Sequence, residues 1–325
     1  MAVTTLPERT IPLRRRVVAA PTRADRAFQA LVVGSAWTVL AVLGLITIFL
    51  LIQAWPAFDA VGWSFLTRFE WFPDNDPPVF GVGALLAGTL IIAAIGLTIA
   101  LPVAVGSALY VNEYAPRWLQ RGLVMMIDLL AAIPSLIYGM WGLYWLSPKL
   151  EGLTRWLADH LGFIPLFRAE TFGFSMFICG VVVALMILPI IASVAREVFA
   201  QVPRTTCEGA LALGGTRWGM IRRVVLPFGR SGIIGAAMLG LGRALGETIA
   251  VVLILSINFT VTAQILEPGG GSVAAHIANR FPEAAPLDRD GLIAAGLVLF
   301  GVTLVVNMAA RVVVNRARSL RGLDG

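Results

Sequence analysis

Six long apolar runs dominate this sequence and leave few folds open to it. They cover about residues 28–53, 82–111, 122–146, 172–194, 232–257 and 291–314. Each run can cross the ~30 Å hydrocarbon core of a bilayer as a helix, which takes about 20 residues. Backbone groups in lipid must form hydrogen bonds within their own segment, so such runs are helical. We therefore predict an all-α polytopic membrane protein with six transmembrane helices, kinked at Pro102, Pro134 and Pro189.

The composition agrees with a bilayer environment. The chain is 58% hydrophobic and only 14% charged, whereas soluble domains carry about 25% charged residues. A net charge of +6 could indicate a nucleic-acid-binding protein, but the charges fall in short tracts between the apolar runs. We therefore expect a lipid bilayer as the partner and no nucleic acid.

The distribution of basic residues predicts the orientation. With the amino terminus in the cytosol, 18 arginines fall on the cytosolic side and six basic residues fall outside. This bias places both termini in the cytosol. We divide the chain into a cytosolic basic tail (1–27), a transmembrane domain (28–315) and a cytosolic tail (316–325). The first tail holds six arginines and no apolar core, so we do not expect a cleavable signal peptide.

A spaced motif lies in the basic connection between the fourth and fifth runs. It comprises Glu208-Gly209-Ala210, Gly214, Val224 and Leu226-Pro227. An acidic residue, two small residues, a glycine and a terminal Leu-Pro at these intervals predict a short helix, a tight turn and a second helix. Because this connection is predicted to be cytosolic, the motif is a candidate docking element for another protein.

Two ionisable residues lie within the fifth run. Arg243 and Glu247 are separated by four positions, which places them on one face of a continuous helix. A charge at the bilayer centre costs at least about 2.5–3.5 kcal/mol. The two residues are therefore either a structural ion pair or a polar station on a solute path, where arginine suits oxyanions.

The third run carries a carboxylate and a mid-span proline. We expect Asp128 to meet the cytosolic interface or to form an ion pair with Arg121. Pro134 removes a helical hydrogen bond, and Ser135 can satisfy the freed carbonyl group. The pattern suits a broken helix that lines a cavity and equally suits a plain kink.

Catalytic and metal-binding patterns are missing from the sequence. The only lysine is Lys149, and no G-x-x-x-x-G-K-[ST] loop occurs, so the chain has no P-loop for ATP hydrolysis. His160 and His276 are isolated, and we interpret both as solvated surface residues rather than metal ligands. We expect no cofactor, no metal and no enzymatic activity, and an energy source in a partner or an ion gradient.

Three segments together resemble a known family. They are Asp128 to Gly139, Glu208 to Pro227, and Gly240 to Val251. In combination they resemble the permeases of the phosphate-specific ABC importer, most closely the PstC-type subunit, over about residues 80–315. Three positions depart from the family pattern: Gly209 replaces an alanine, Val224 an isoleucine, and Asp128 the more common glutamate.

The resemblance implies a MetI-like fold and a type I importer for inorganic phosphate in the cell membrane of a prokaryote. It implies a sister permease (PstA-type), a cytosolic ATPase dimer (PstB-type) and an extracytoplasmic phosphate-binding protein (PstS-type). It places Arg243, Glu247, Pro134 and Ser135 on the translocation path. It assigns ATPase coupling to a loop of residues 203–228, through Glu208, Gly209, Ala210, Gly214, Leu226 and Pro227.

Three other functions remain open at this stage. An ABC permease for another solute, such as sulfate, molybdate or an amino acid, would carry the same coupling loop. A secondary transporter would use Glu247 as a proton carrier. A regulatory or assembly protein of the membrane would keep the buried pair for structural reasons alone.

Overall fold

The computed structural model describes residues 22–260 and 263–319, with side chains up to Val312. The first 21 residues of the predicted basic tail and residues 320–325 of the predicted carboxy-terminal tail lie outside this part of the chain. Within it, the regular structure is helical apart from one hairpin of two-residue strands. The predicted all-α class is therefore confirmed.

The elements follow one another in a simple order. The α-helices of the described chain are α1 Arg23–Val61, α2 Gly83–Leu109, α3 Arg117–Ala132, α4 Ser135–Trp141, α5 Ser147–Leu161, α6 Met176–Ala200, α7 Arg204–Ala212, α8 Arg217–Met220, α9 Leu226–Leu245, α10 Ile249–Ile254, α11 Val273–Arg280 and α12 Pro286–Ser319. Strands β1 Trp71–Phe72 and β2 Val79–Phe80 pair antiparallel between α1 and α2. π-Helical turns at Tyr110–Tyr114, Gly142–Leu146 and Ile221–Val225 extend α2, α4 and α8.

The helices account for the predicted membrane spans with two corrections. Five helical segments are long and apolar enough to cross a membrane, and α3 with residues 135–161 forms a bent sixth candidate. The polytopic prediction is thus confirmed. However, run 122–146 divides between α3 and α4, and run 232–257 divides between α9 and α10. Pro102 and Pro189 lie inside the uninterrupted helices α2 and α6.

The centre of the fold is the packing of α2, α6 and α9, which depends on glycine at the crossing points. A Cβ atom on Gly180 would lie 2.6 Å from Cγ2 of Ile95, and one on Gly240 would lie 2.6 Å from Cδ1 of Ile191. These positions let the helix backbones approach closely, as small residues do in membrane bundles.

A second buried cluster, which we call the cap, joins the hairpin to α11 and α12. The indole Nε1 of Trp71 donates to Oδ1 of Asp288 (2.8 Å), and Nε of Arg280 donates to Oδ2 (2.7 Å). His276 lies against the rings of Trp71 and Phe259, with centroid distances of 4.7 and 5.2 Å. The prediction of a solvated His276 is therefore wrong, because the α11 face that carries it packs inward. Burial lowers the pKa of this imidazole to about 4.

The chain divides into two units, Met1–Phe49 and Leu50–Gly325. In the described part of the first unit, α1 is an apolar helix whose side chains are nearly all exposed. A helix that is hydrophobic on all its faces is typical of a membrane span. Within the second unit, the continuation of α1 buries Ala54 and Ala57 in the core beside the hairpin.

Candidate translocation and coupling sites

The first helix break lies between α3 and α4. Ile133 and Pro134 adopt extended ψ angles of 128° and 143°, and the chain bends by 90° there. In a continuous helix the amide of residue 134 would donate to the carbonyl group of Leu130, but proline has no amide hydrogen. The Tyr138 hydroxyl donates to this carbonyl instead, at 3.0 Å. Tyr138 thus takes the role predicted for Ser135, which begins α4.

The second break separates α9 from α10. Helix α9 ends at Leu245, and Gly246 follows with φ −94° and ψ 5°. The Thr248 hydroxyl donates to the carbonyl of Gly246 at 3.1 Å. Oε1 of Glu247 accepts from the amide of Ala250 at 3.3 Å, near the start of α10. Glu247 therefore acts as a capping residue, because it satisfies an amide that the new helix leaves without a partner.

Arg243 and Glu247 do not form an ion pair, which was one of the two alternatives for these residues. Arg243 lies in the last turn of α9 with an exposed side chain, whereas Glu247 is 8% exposed. The i, i+4 spacing does not bring the two side chains together, because the helix ends between the two residues. In the part of the chain that the structure describes, the ion pairs are Glu151–Arg155, Arg196–Glu197 and Arg280–Asp288.

The two breaks lie next to each other. A Cβ atom on Gly139 in α4 would lie 3.0 Å from Cα of Ala250 and 2.9 Å from Cδ1 of Leu253, so α4 and α10 are in direct contact. Arg243 lies in the last turn of α9, directly before the second break. The two helix breaks and the exposed Arg243 therefore lie in the same region of the fold.

Tyr138 is the residue of this region that the sequence argument missed. The available signal was a tyrosine four positions after a mid-span proline. A tyrosine hydroxyl in an apolar segment needs a partner, and the proline leaves a carbonyl in need of a donor.

Asp128 lies in the carboxy-terminal half of α3, four residues before the last helical residue, Ala132. It lines an open cavity of about 610 Å³ that also contacts Arg121 and Arg196. The side chain of Asp128 is exposed and forms no ion pair within 4.0 Å in the described chain, so the predicted pair with Arg121 is absent. The alternative expectation, a place at the interface, is compatible with its exposure.

The coupling loop has the predicted helix–turn–helix form. Helix α7 ends at Ala212, and Gly214 adopts a φ of +81°, which glycine accepts without a steric cost. Thr216 then begins α8, because its hydroxyl oxygen accepts from the amide of Gly219 at 3.0 Å. Leu226 and Pro227 start α9, where proline suits the first helical turn.

Two of the three motif residues of α7 face away from the bundle. Glu208 and Gly209 are exposed, and Ala210 is half-buried. Large apolar side chains surround them at the surface: Leu213 is 91% exposed and Trp218 is 58% exposed. This combination of a carboxylate, small residues and exposed apolar groups is available for contact with another protein.

The opposite face of the coupling loop is anchored in the bundle. Cys207 and Ala210 pack against a buried cluster that includes Phe199, Met220 and Ile221. Burial raises the pKa of the Cys207 thiol. The loop is therefore packed against both α6 and α8.

A family model described as a binding-protein-dependent transport system inner membrane component matches residues 100–319. The matched range contains both breaks and the coupling loop. It begins inside α2, so the hairpin and α1 lie before it.

Proteins named as phosphate transport permeases match most of this chain. The phosphate transport system permease protein PstC 2 of Mycobacterium tuberculosis is 42% identical over 297 residues, which span 90% of this chain and 92% of the relative. PstC of Haemophilus influenzae is 41% identical over 289 residues, which span 87% and 91%.

Solved structures of ABC transporters share the fold. A chain of a bacterial ABC transporter involved in alginate import superposes with a TM-score of 0.57 at 20% identity, over 90% of this chain and 99% of that chain. A chain of the MetNI methionine ABC transporter superposes with a TM-score of 0.50 over 73% of this chain and 94% of that chain. At such identities the likeness establishes a MetI-like fold.

Proposed function

Because the chain belongs to the PstC phosphate transport system permeases, within the binding-protein-dependent transport system inner membrane component family, we propose that it forms half of the path of an ATP-driven importer for inorganic phosphate. The observation that carries the proposal is the 42% identity to a phosphate permease over nine-tenths of this chain. A permease subunit of this class has no ATPase site of its own, and ATP hydrolysis belongs to a partner.

The exposed position of Arg243 supports an anionic solute. Phosphate is charged at neutral pH and cannot enter hydrocarbon without compensation. A guanidinium group offers a planar fork of donors that matches the oxygens of phosphate. Since Glu247 is turned inward to cap α10, the charge of Arg243 is not neutralised by that carboxylate and is available to a passing anion.

The surroundings of Arg243 favour passage over tight binding. A single arginine, exposed at the end of a helix, lowers the barrier for an anion without enclosing it. Conduction requires a site that is favourable enough to enter and weak enough to leave. Pro134 and Ser135 form the adjoining wall in this proposal, because they lead into α4, which packs on α10 next to the second break.

The coupling loop connects this path to ATP hydrolysis in our proposal. Glu208, Gly209 and Ala210 dock into a cytosolic ATPase, and Gly214, Leu226 and Pro227 shape the turn and the re-entry into the membrane. Closure of an ATPase dimer would displace α7, and the packing of Cys207 and Ala210 would carry that displacement to α6 and α8.

The assembly follows from the same proposal. The chain pairs with a PstA-type sister permease, two copies of a PstB-type ATPase and an extracytoplasmic PstS-type phosphate-binding protein. We place it in the cell membrane of a prokaryote with both termini in the cytosol, on the distribution of its arginines. Among the solved relatives in fold, one is an alginate ABC transporter in complex with a periplasmic protein.

Uptake of labelled phosphate tests the substrate. The complete transporter is produced in a host that lacks its own high-affinity phosphate importer, and uptake is measured at micromolar phosphate with competing anions. We expect phosphate to compete and sulfate and molybdate not to compete. Competition by sulfate or molybdate instead would leave an oxyanion permease with a different substrate, and uptake driven by a proton gradient without ATP would contradict the importer class.

A further inference from the structure

The carbonyl group of Leu130 is the point at which the first break is held together. Pro134 cannot donate to it, and a carbonyl without a donor is costly in a membrane. The Ile133 amide contacts it only at 3.4 Å, whereas the Tyr138 hydroxyl donates to it at 3.0 Å. The tyrosine hydroxyl is thus the better of the two donors that bridge the interruption.

The bend makes the contact between Tyr138 and Leu130 possible. The chain turns by 90° at Ile133 and Pro134, which brings the first turn of α4 back toward the last turn of α3. In a straight helix, Leu130 and Tyr138 would lie two turns apart along the axis. The hydrogen bond therefore forms only in the bent arrangement and stabilises it.

The far side of the bend is fixed to the second break. Gly139, next to Tyr138, packs directly on Ala250 and Leu253 of α10. Arg243 lies in the last turn of α9, on the other side of the second break from α10. The Tyr138 hydrogen bond thus links the end of α3 to the part of α4 that packs on α10.

We propose that Tyr138 is a positioning residue that holds the bend between α3 and α4 and thereby sets the place of Arg243 relative to the path. This role rests on the proposed function for its link to phosphate, while the control of the bend stands on the geometry alone. Loss of the hydroxyl lets α4 tilt away from α3, and a tilt of α4 moves the wall that faces Arg243.

Spin-label distances test the control of the bend without any transport assay. Labels are placed on cysteines at Met126 in α3 and Met140 in α4, both exposed positions, after Cys207→Ser. In the complete reconstituted transporter, Tyr138→Phe is compared with Tyr144→Phe, whose side chain is 73% exposed. We expect Tyr138→Phe to broaden or shift the distance distribution and Tyr144→Phe to leave it unchanged. Identical distributions for wild type and Tyr138→Phe would overturn the proposal.

Coupling efficiency tests the role in transport. In proteoliposomes, phosphate imported per ATP hydrolysed is measured for each assembled transporter, so reduced folding does not enter the ratio. We expect Tyr138→Phe to lower the ratio roughly fivefold, as for the loss of one well-formed hydrogen bond, and Tyr144→Phe to retain it. A changed bend with an unchanged ratio would refute the positioning role. A changed bend in a transporter that imports no phosphate would refute the proposed substrate instead.

A second variant separates the hydroxyl from any other effect of the tyrosine. Pro134→Ala restores an amide that can donate to the carbonyl of Leu130 when α3 and α4 continue as one helix, so this carbonyl no longer depends on the Tyr138 hydroxyl. In this background we expect Tyr138→Phe to alter the label distances much less than it does in the wild-type sequence. An equal alteration in both backgrounds would show that the hydroxyl acts elsewhere.

Discussion

Arg243 and Glu247 are four residues apart but lie on the two sides of a helix end. Arg243 is exposed in the last turn of α9, and Glu247 is 8% exposed and accepts a hydrogen bond from the amide of Ala250. The same pair of residues would have formed an ion pair on a continuous helix. The interruption gives them different surroundings, because Arg243 is exposed and Glu247 contacts the backbone of α10.

Substitutions at Glu247 test the capping role. Glu247→Gln keeps an oxygen that can accept from Ala250, whereas Glu247→Leu removes it. We expect Glu247→Leu to lower the stability of the folded protein by about 1 kcal/mol and Glu247→Gln to cost less than about half of that. The measurement is the melting temperature of the purified complex in detergent. Equal losses for both variants would indicate that the charge, and not the hydrogen bond, matters at this site.

Charge reversal at Glu208 tests the docking surface. Glu208→Arg places a positive charge on the exposed face of α7, and we expect the amount of ATPase that co-purifies with the permease to fall at least about tenfold. Asp159→Arg is the matched control, because Asp159 is also exposed but lies on α5, which is predicted to be outside the cell. Retention of the ATPase by Glu208→Arg would contradict the docking assignment.

We predict opposite effects on stability when two glycines of the coupling loop are each replaced by alanine. Gly214 has a φ of +81°, so Gly214→Ala forces alanine into a left-handed conformation at a cost of about 1–2 kcal/mol. Gly209 is helical and has open space around its missing Cβ, so Gly209→Ala stabilises α7 by up to about 1 kcal/mol. Thermal melting of the two variants side by side checks both signs. A stabilising Gly214→Ala would contradict the turn geometry.

The buried imidazole predicts a pH-dependent stability of the cap. Burial lowers the pKa of His276 to about 4 from its ordinary value of 6.5, and the positive Arg280 acts in the same direction while Asp288 opposes it. The unfolded chain therefore binds the proton more readily between these values, so stability decreases as the pH falls from 6.5 toward 4.

We expect this loss to be on the order of 1–3 kcal/mol in the wild type and to be absent in His276→Phe, which fits an aromatic ring against Trp71 and Phe259. His160→Gln is the control, because His160 is exposed. Melting curves between pH 4 and pH 7 provide the measurement. The same pH dependence in wild type and His276→Phe would exclude His276 as its source.

The number and kind of elements were predictable because they depend on local patterns. Long apolar runs identify helices in a membrane regardless of their packing. The helix–turn–helix of the coupling loop was also predictable, because Gly214 and the Leu226-Pro227 pair act on the backbone directly. In both cases the residues that fix the backbone conformation lie within the element that they shape.

The breaks were predictable only in part, and their consequences were not. Hydropathy does not register a three-residue interruption, so Gly246, Glu247 and Thr248 were assigned to a helix. Pro134 was a visible signal, but the donor that compensates for it lies on the far side of a 90° bend. His276 is buried by the ring of Trp71, which is distant in sequence, and no local pattern reveals such a contact.

The most direct test of the account is phosphate uptake per assembled transporter in Arg243→Gln, with Arg289→Gln, an exposed arginine away from the breaks, as the control. We expect Arg243→Gln to lower uptake by at least about tenfold, because a neutral amide does not lower the barrier for an anion. Its melting temperature should stay close to that of the wild type, since Arg243 forms no ion pair in the described chain. Unchanged uptake in Arg243→Gln, with normal assembly, would contradict the proposed role of this arginine in the path.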